Sequence, residues 1–386
     1  MANVTFLGAC GVVTGSSTLL TWSERSVLVD CGLYQGSEEL EQRNWSAFPF
    51  QPRHLAAVLV THAHLDHTGL LPRLTAEGFS GPIFCTKPSR ALISLVLQDA
   101  AQLQEEEHRY ALRKVYSRHP VPRPLYTGED ARRALKLLHP VAFDVERDLE
   151  PPREAPDALL LESTYGDRLH ARDDAAEALD TIITETFARG GMVIIPAFAL
   201  GRTQEVLYHL SALADRGRLD PRTVFLDSPM AIAPSRFARC RTAEQSKLLN
   251  SRREPAVIVA SSGMASGGRV VHHLLHHLSD PRSSVVLTGY QAAGTNGRAL
   301  VECAETVAIH GQAVRVRAAI HQLNSLSAHA DREELLRWCR ALPGVPRRIF
   351  LNHGEDAARK ALSVEIAAEA GWPRPVLPLP GESVPW

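Results

Sequence analysis

Short apolar stretches punctuated by glycine open the chain. Residues 4–9, 17–21 and 26–29 each read as a strand, with Gly11, Gly15 and Gly32 in the turns that follow. Val58-Leu59-Val60 is apolar, β-branched and uninterrupted, the pattern of a buried strand, and Thr68-Gly69-Leu70-Leu71-Pro72 then opens a helix. Helical spacing governs 87–118, with apolar positions at Leu92, Leu95, Val96 and Leu103 and Glu105-Glu106-Glu107 on a solvated face; His108 and His119 read as surface histidines. Residues 128–139 form a second amphipathic helix that ends at His139, and 157–162 is a buried strand closing on Glu162. The expected first architecture is a β-rich sandwich covered by helices.

From 168 to 326 the pattern changes. A helix over 174–189 precedes near-continuous apolar strands at 190–196, 224–227, 256–260 and 285–288, with helices between them. Strand–helix alternation of this kind predicts a parallel α/β sheet. The proline-rich tail over 372–386 reads as irregular structure.

Composition bounds the function. A chain of 386 residues exceeds one ordinary core and predicts two domains. A net charge of −1 offers no overall basic field, so a nucleic-acid partner would need local patches. No apolar run reaches membrane-span length, and the start lacks a basic, signal-like segment. Six scattered cysteines without a C-x-x-C pair fit reduced thiols in a cytoplasmic protein.

The chemistry concentrates in His62-Ala63-His64-Leu65-Asp66-His67, at the carboxyl end of the 58–60 strand. His62 and His64 can converge on one cation while Asp66 and His67 reach a second. Nitrogen and oxygen ligands suit zinc, and metal pairs about 3.5–4 Å apart recur in hydrolases. Asp30, at a strand end beside glycine, either steadies this turn through hydrogen bonds or bonds a neighbouring loop. His353 repeats the strand-end placement of the first ligands. Glu162 alone could cap a helix, and His329 alone could be a satisfied core histidine. Two glycine-rich strand–helix loops, 261–269 with Ser262, Gly268 and Arg269, and 294–298 with Gly294, Thr295 and Arg298, could cradle phosphate together with Arg202. His272-His273 and His276-His277 read as lining a helix face.

In these motifs the chain resembles the metallo-β-lactamase superfamily and, within it, the β-CASP nucleases. The carrying residues are Asp30, the His62 to His67 run, Glu162-Ser163-Thr164-Tyr165-Gly166-Asp167, Ser327-Ala328-His329-Ala330-Asp331 and Leu351-Asn352-His353-Gly354-Glu355. Pro196-Ala197-Phe198-Ala199-Leu200-Gly201-Arg202 and the stretch from Gly289 to Arg298 support them. The resemblance implies an α/β fold: an αββα sandwich over 1–167 and 327–386, with a parallel β-CASP domain inserted at 168–326 and closing over its site. It implies two zinc ions, the first on His62 and His64, the second on Asp66, His67 and His353. It also implies a Glu162–His329 acid–base pair, Asp66 among the catalytic groups, and Asp30 in support. The implied reaction is hydrolysis of single-stranded RNA by a metal-bound hydroxide, with a homodimer one assembly open to it.

One departure stands out. The family places two more ligands, a histidine in a Gly-His turn and a bridging aspartate in a Gly-Asp turn, before the Glu162 strand; nothing between Val141 and Asp157 matches either. Asp144 and Asp148 lack the glycine context and take no such role. The metal complement here could therefore be two, one or none. The lost stretch should also expose a sheet edge and uncover core. An RNA-binding or complex-forming homologue with an incomplete site is the alternative function, and a small-ester metallo-hydrolase a weaker one.

Overall fold

The computed structural model describes residues 2–114, 123–142, 154–171, 174–228, 234–369 and 371–385. It divides into two compact units, 1–169 with 329–386, and 170–328.

The first unit is built on a seven-stranded mixed sheet, in the order Ser383–Pro385, Ala2–Phe6, Thr18–Trp22, Arg25–Val29, Ala57–Leu59, Ile83–Thr86, Leu138–Val141. Pairing is antiparallel up to Arg25–Val29 and parallel beyond it. Side chains alternate across a strand, so Leu28, Val58, Ile83, Cys85 and Leu138 enter a core with Leu71, Leu74, Ile93 and Leu97 from the helices beneath. Two sequence expectations are corrected. The helix over Gly128–Lys136 stops before His139, which lies in the Leu138–Val141 strand. Burial of Leu138 beside Ile83 outweighs the helical spacing that reached His139. The tail is likewise not wholly irregular, because Ser383–Pro385 pairs with Ala2–Phe6 as the edge strand. A proline is tolerated at an edge since no further strand needs its amide. The helix from Lys87 is described to Lys114; the rest of the expected 87–118 helix, His119, Asp144 and Asp148 lie outside the described residues.

Facing this sheet is a pair of parallel strands, Ala158–Glu162 and Arg348–Asn352, in register from Arg348↔Ala158 to Asn352↔Glu162. Leu159 and Leu161 pack outward against Leu335, Leu336, Leu362 and Ile366. Phe350 packs inward on Phe6, ring centroids 5.1 Å apart, beside Val4 and Cys10. Among the described residues no further strand joins the Ala158–Glu162 edge. Leu160 of this strand is 42% exposed, and in the large sheet Leu59 is 40% and Val141 46% exposed. Leu59, Phe84 and His139 are register neighbours on the sheet's inner face.

The second unit carries a six-stranded, wholly parallel sheet, ordered Ala238–Arg239, Val224–Asp227, Val257–Ala260, Val193–Pro196, Ser284–Leu287, Ala319–Gln322. Val193, Ile195, Val257 and Val259 feed one core and Ile194, Ile258, Val285 and Leu287 the other. Burial on both faces explains the unbroken apolar runs.

All five tryptophans lie at 22, 45, 338, 372 and 386, within the first unit, so their fluorescence reports its unfolding. Leu161→Ala should cost about 2–4 kcal/mol in a urea titration. The neighbouring Leu160→Ala, on the uncovered face, should cost less than about 1 kcal/mol. Equal losses would show that Leu160 is covered in solution.

Candidate metal and catalytic site

The site is assembled at one end of the first unit's strands. The Ala57–Leu59 strand runs into Thr61-His62-Ala63-His64, and a short helix over Leu65–Thr68 follows. The adjacent Arg25–Val29 strand ends at Asp30, buried and in the left-handed region at φ 60°. Its carboxylate accepts from four groups. Oδ1 takes the Thr61 amide at 2.9 Å and the Thr61 hydroxyl at 3.1 Å; Oδ2 takes Ser16 Oγ at 3.1 Å and His67 Nδ1 at 2.7 Å. The amides of Ser16, Cys31 and Leu33 donate to the carbonyls of Asp66, His67 and Leu65 at 2.8 Å each. Gly32 permits this lacing: a Cβ there would lie 1.7 Å from the Asp66 carbonyl oxygen.

From the facing sheet, the Asn352↔Glu162 register brings Glu162 and His353 to the same end. His353 is buried. Thr164 Oγ1 donates to the His353 carbonyl at 3.1 Å and so meets His353 Nδ1, 3.2 Å away, as an acceptor. Glu162 Oε2 accepts from the Thr164 amide at 2.8 Å, and its Oε1 lies 3.5 Å from His329 Nδ1.

These contacts settle where the imidazole protons sit. Asp30 can only accept, so His67 carries a proton on Nδ1; Thr164 likewise places the His353 proton on Nδ1. Both Nε2 lone pairs then face each other at 3.1 Å, and Asp66 Oδ2 stands 3.4 Å from His353 Nε2 and 3.6 Å from His67 Nε2. Three electron-rich atoms gathered in a mostly buried place require a cation or an added proton among them. Tetrahedral zinc ligands at about 2.0–2.1 Å lie about 3.3 Å apart, so these edges fit a metal ion. Electrostatics follow. Burial would depress His67, but Asp30 and Asp66 outweigh it and raise its pKa. Burial would raise Asp66, yet the positive charge that His353, His67 and His64 take up when protonated holds it well below the carboxylate range. Burial would raise Glu162 too, but His329, the Thr164 amide and His353 together bring it below its ordinary value.

His62 and His64 behave otherwise. His62 Nε2 meets His64 Nδ1 at 3.0 Å, with Thr61 Oγ1 3.2 Å from His62 Nδ1. Burial, reinforced by His67 and His64, lowers His62 to about 3. Among the described residues, sets of three converging ligand atoms are Asp66–His67–His353 and Glu162–His329–His353; the His62–His64 pair has no third member.

The sequence did not single out Ser16, Thr61 or Thr164, the hydroxyls that orient these groups. Thr164 was visible in the motif beside Glu162, and Thr61 immediately before His62.

The expected phosphate-binding residues all fall in the second unit. Arg269 donates to buried Asp227 at 2.6 Å and to the Cys240 carbonyl at 3.0 Å. Asp227 also accepts from Ser246 and lies 2.7 Å from His273 Nε2. Burial pushes the Asp227 pKa up, and these bonds bring it below its ordinary value. Arg202 pairs with Glu205, and Arg298 with Glu302 and the Gln291 carbonyl. The glycine-rich loops bond each other, Gly297 N to Met264 O at 3.0 Å and Asn296 N to Ser266 Oγ at 2.9 Å. Ser262 N donates to Gly267 O, Thr295 Oγ1 caps the next helix, and Gly268 and Gly294 hold positive-φ turns. The structure thus gives these side chains internal partners the sequence did not suggest.

Three family descriptions match the chain: the metallo-β-lactamase superfamily over residues 10–154, the β-CASP domain over 203–300, and a Zn-dependent metallo-hydrolase RNA specificity domain over 313–376. A Thermus thermophilus protein, ribonuclease TTHA0252, is 38% identical across 93% of this chain and 95% of its own length. The chain belongs to the β-CASP branch of the metallo-β-lactamase superfamily. It is a β-CASP ribonuclease homologue, from a zinc-dependent family. Transcription termination factor FttA of Methanococcus maripaludis is 31% identical over 91% of this chain and 66% of itself. An RNase J-like protein of Methanocaldococcus jannaschii is 28% identical over 92% and 93%. The Thermus alignment runs over 419 positions, more than the 386 residues here, so that relative has stretches without a counterpart in this chain.

Two outcomes are expected. Asp30→Asn frees the His67 tautomer and should weaken zinc binding about 10–100-fold in a chelator competition. Arg269→Ala leaves Asp227 buried without its guanidinium and should lower stability by about 3 kcal/mol in thermal unfolding; an unchanged melting temperature would return Arg269 to the candidate RNA contacts.

Proposed function

We propose that the chain is a metal-dependent ribonuclease that hydrolyses phosphodiester bonds of single-stranded RNA. The observation that carries this reading is the placement of the Glu162–His329 pair beside His353, which also belongs to the Asp66–His67–His353 set. Asp66, His67 and His353 would hold zinc, which when bound supplies a Lewis acid that acidifies water and screens phosphate charge. His329 delivers a proton to the leaving 3′ oxygen, and Glu162, kept ionised by its lowered pKa, orients the ring. Asp30 and Thr164 hold the two ligand imidazoles in the tautomer a metal needs. The RNA specificity domain match and the ribonuclease relative support RNA as substrate. No helix of the described residues is long and apolar enough to cross a membrane. The six cysteines are all free, which fits a reducing, cytoplasmic setting.

The second reading, an RNA-binding homologue with impaired catalysis, is favoured by the lack of a third ligand beside His62 and His64 among the described residues.

The deciding assay is cleavage of an end-labelled single-stranded RNA by the zinc-loaded chain. His329→Ala should lower kcat about 10²–10⁴-fold with little change in KM. Glu162→Gln should lose a comparable factor, and the double variant little more, because the pair acts as a unit. RNA that binds but is never cut would establish the second reading instead.

A further inference from the structure

We infer that this chain is a one-metal protein: a single divalent ion sits on Asp66, His67 and His353, and the His62–His64 pair closes on itself through a shared proton. The inference rests on the metal-centre reading above and concerns a property, stoichiometry, that does not depend on RNA cleavage.

The two histidine pairs differ in what their outer nitrogens touch. His67 is pinned by Asp30 at 2.7 Å, and His353 by the Thr164 hydroxyl at 3.2 Å. Neither ring can offer a proton to the other without becoming cationic, and Asp66 adds a carboxylate to the same point. A divalent ion satisfies all three groups at once. The pair formed by His62 and His64 has no such conflict. Thr61 Oγ1 already donates to Asp30, so it accepts from His62 Nδ1, leaving His62 Nε2 a lone pair. His64 is exposed, and among the described residues no carboxylate or hydroxyl is bonded to it. Its Nδ1 proton is therefore available to His62 Nε2 at 3.0 Å, an ordinary hydrogen bond between neutral rings.

Ligand count points the same way. Catalytic zinc takes three protein ligands, a number the Asp66 set reaches and the His62–His64 pair does not. Two dications about 4 Å apart repel strongly unless a carboxylate bridges them. Among the described residues, the carboxylates gathered with these histidines are Asp66, Glu162 and Asp30. Asp30 is filled by its four donors, and Glu162 is held by the Thr164 amide and His329.

The test uses the full chain, stripped with a chelator, reloaded with Zn²⁺ or Co²⁺ and desalted. Elemental mass spectrometry should find one ion per chain, and the cobalt form a single visible absorption band set. His62→Ala and His64→Ala should keep that ion with unchanged affinity. Asp66→Asn, which keeps the side chain's size and shape, and His353→Ala should each weaken it at least tenfold, with circular dichroism confirming the fold. Two ions per chain, none, or loss of the ion in His62→Ala would overturn the inference. If one ion binds as described and RNA is still not cut, only the nuclease reading fails.

Discussion

The arrangement depends on one buried carboxylate. Asp30 sits in a left-handed backbone conformation at the end of a strand and accepts four hydrogen bonds. A residue with φ near 60° is strained unless its surroundings over-determine it, and here the bonds to Ser16, Thr61 and His67 do so. Those bonds tie two strand-end loops into one rigid turn and decide which nitrogen of His67 faces the centre. A carboxylate buried without partners would cost several kcal/mol, so the turn and its anchor are mutually required.

The second half of the site depends on strand register. Because Asn352 lies opposite Glu162 in a parallel pair, the residues that follow both strands emerge together. A slip of one residue would turn Leu159 and Leu161 out of their core and withdraw Glu162 from His329. Packing against Leu335, Leu362 and Ile366 therefore sets where Glu162 stands relative to His329 as well as stability. The same pair of strands leaves Leu160 uncovered, and Leu59 and Val141 of the large sheet are exposed as well, among the described residues.

In the parallel-sheet unit, residues that looked poised for phosphate already have partners within the fold. Arg269 meets a carboxylate with almost no solvent access, and removing the guanidinium would leave that charge buried without its ion-pair partner. The glycine loops likewise complete each other's hydrogen bonds. Glycine and arginine beside a strand end are signals shared by ligand loops and by tight loop–loop packing, so the motif could not separate the two.

The sequence by itself determined the fold class and the site's ingredients. Period-two and unbroken apolar runs distinguish a sheet solvated on one face from one buried on both, and His62, His64, Asp66, His67, Glu162 and His353 follow or end strands that the pattern makes visible, while His329 is marked by its motif alone. Helix and strand limits were less legible: His139 and the Ser383–Pro385 strand took their conformations from neighbours far along the chain. Only the tertiary structure decided the rest. Which histidine nitrogens carry protons, which arginines are engaged, and which ligands meet in threes all depend on contacts between residues as distant as Asp30 and His67 or His67 and His353. Local spacing places side chains along a chain; hydrogen bonding across the fold assigns what each can still bind.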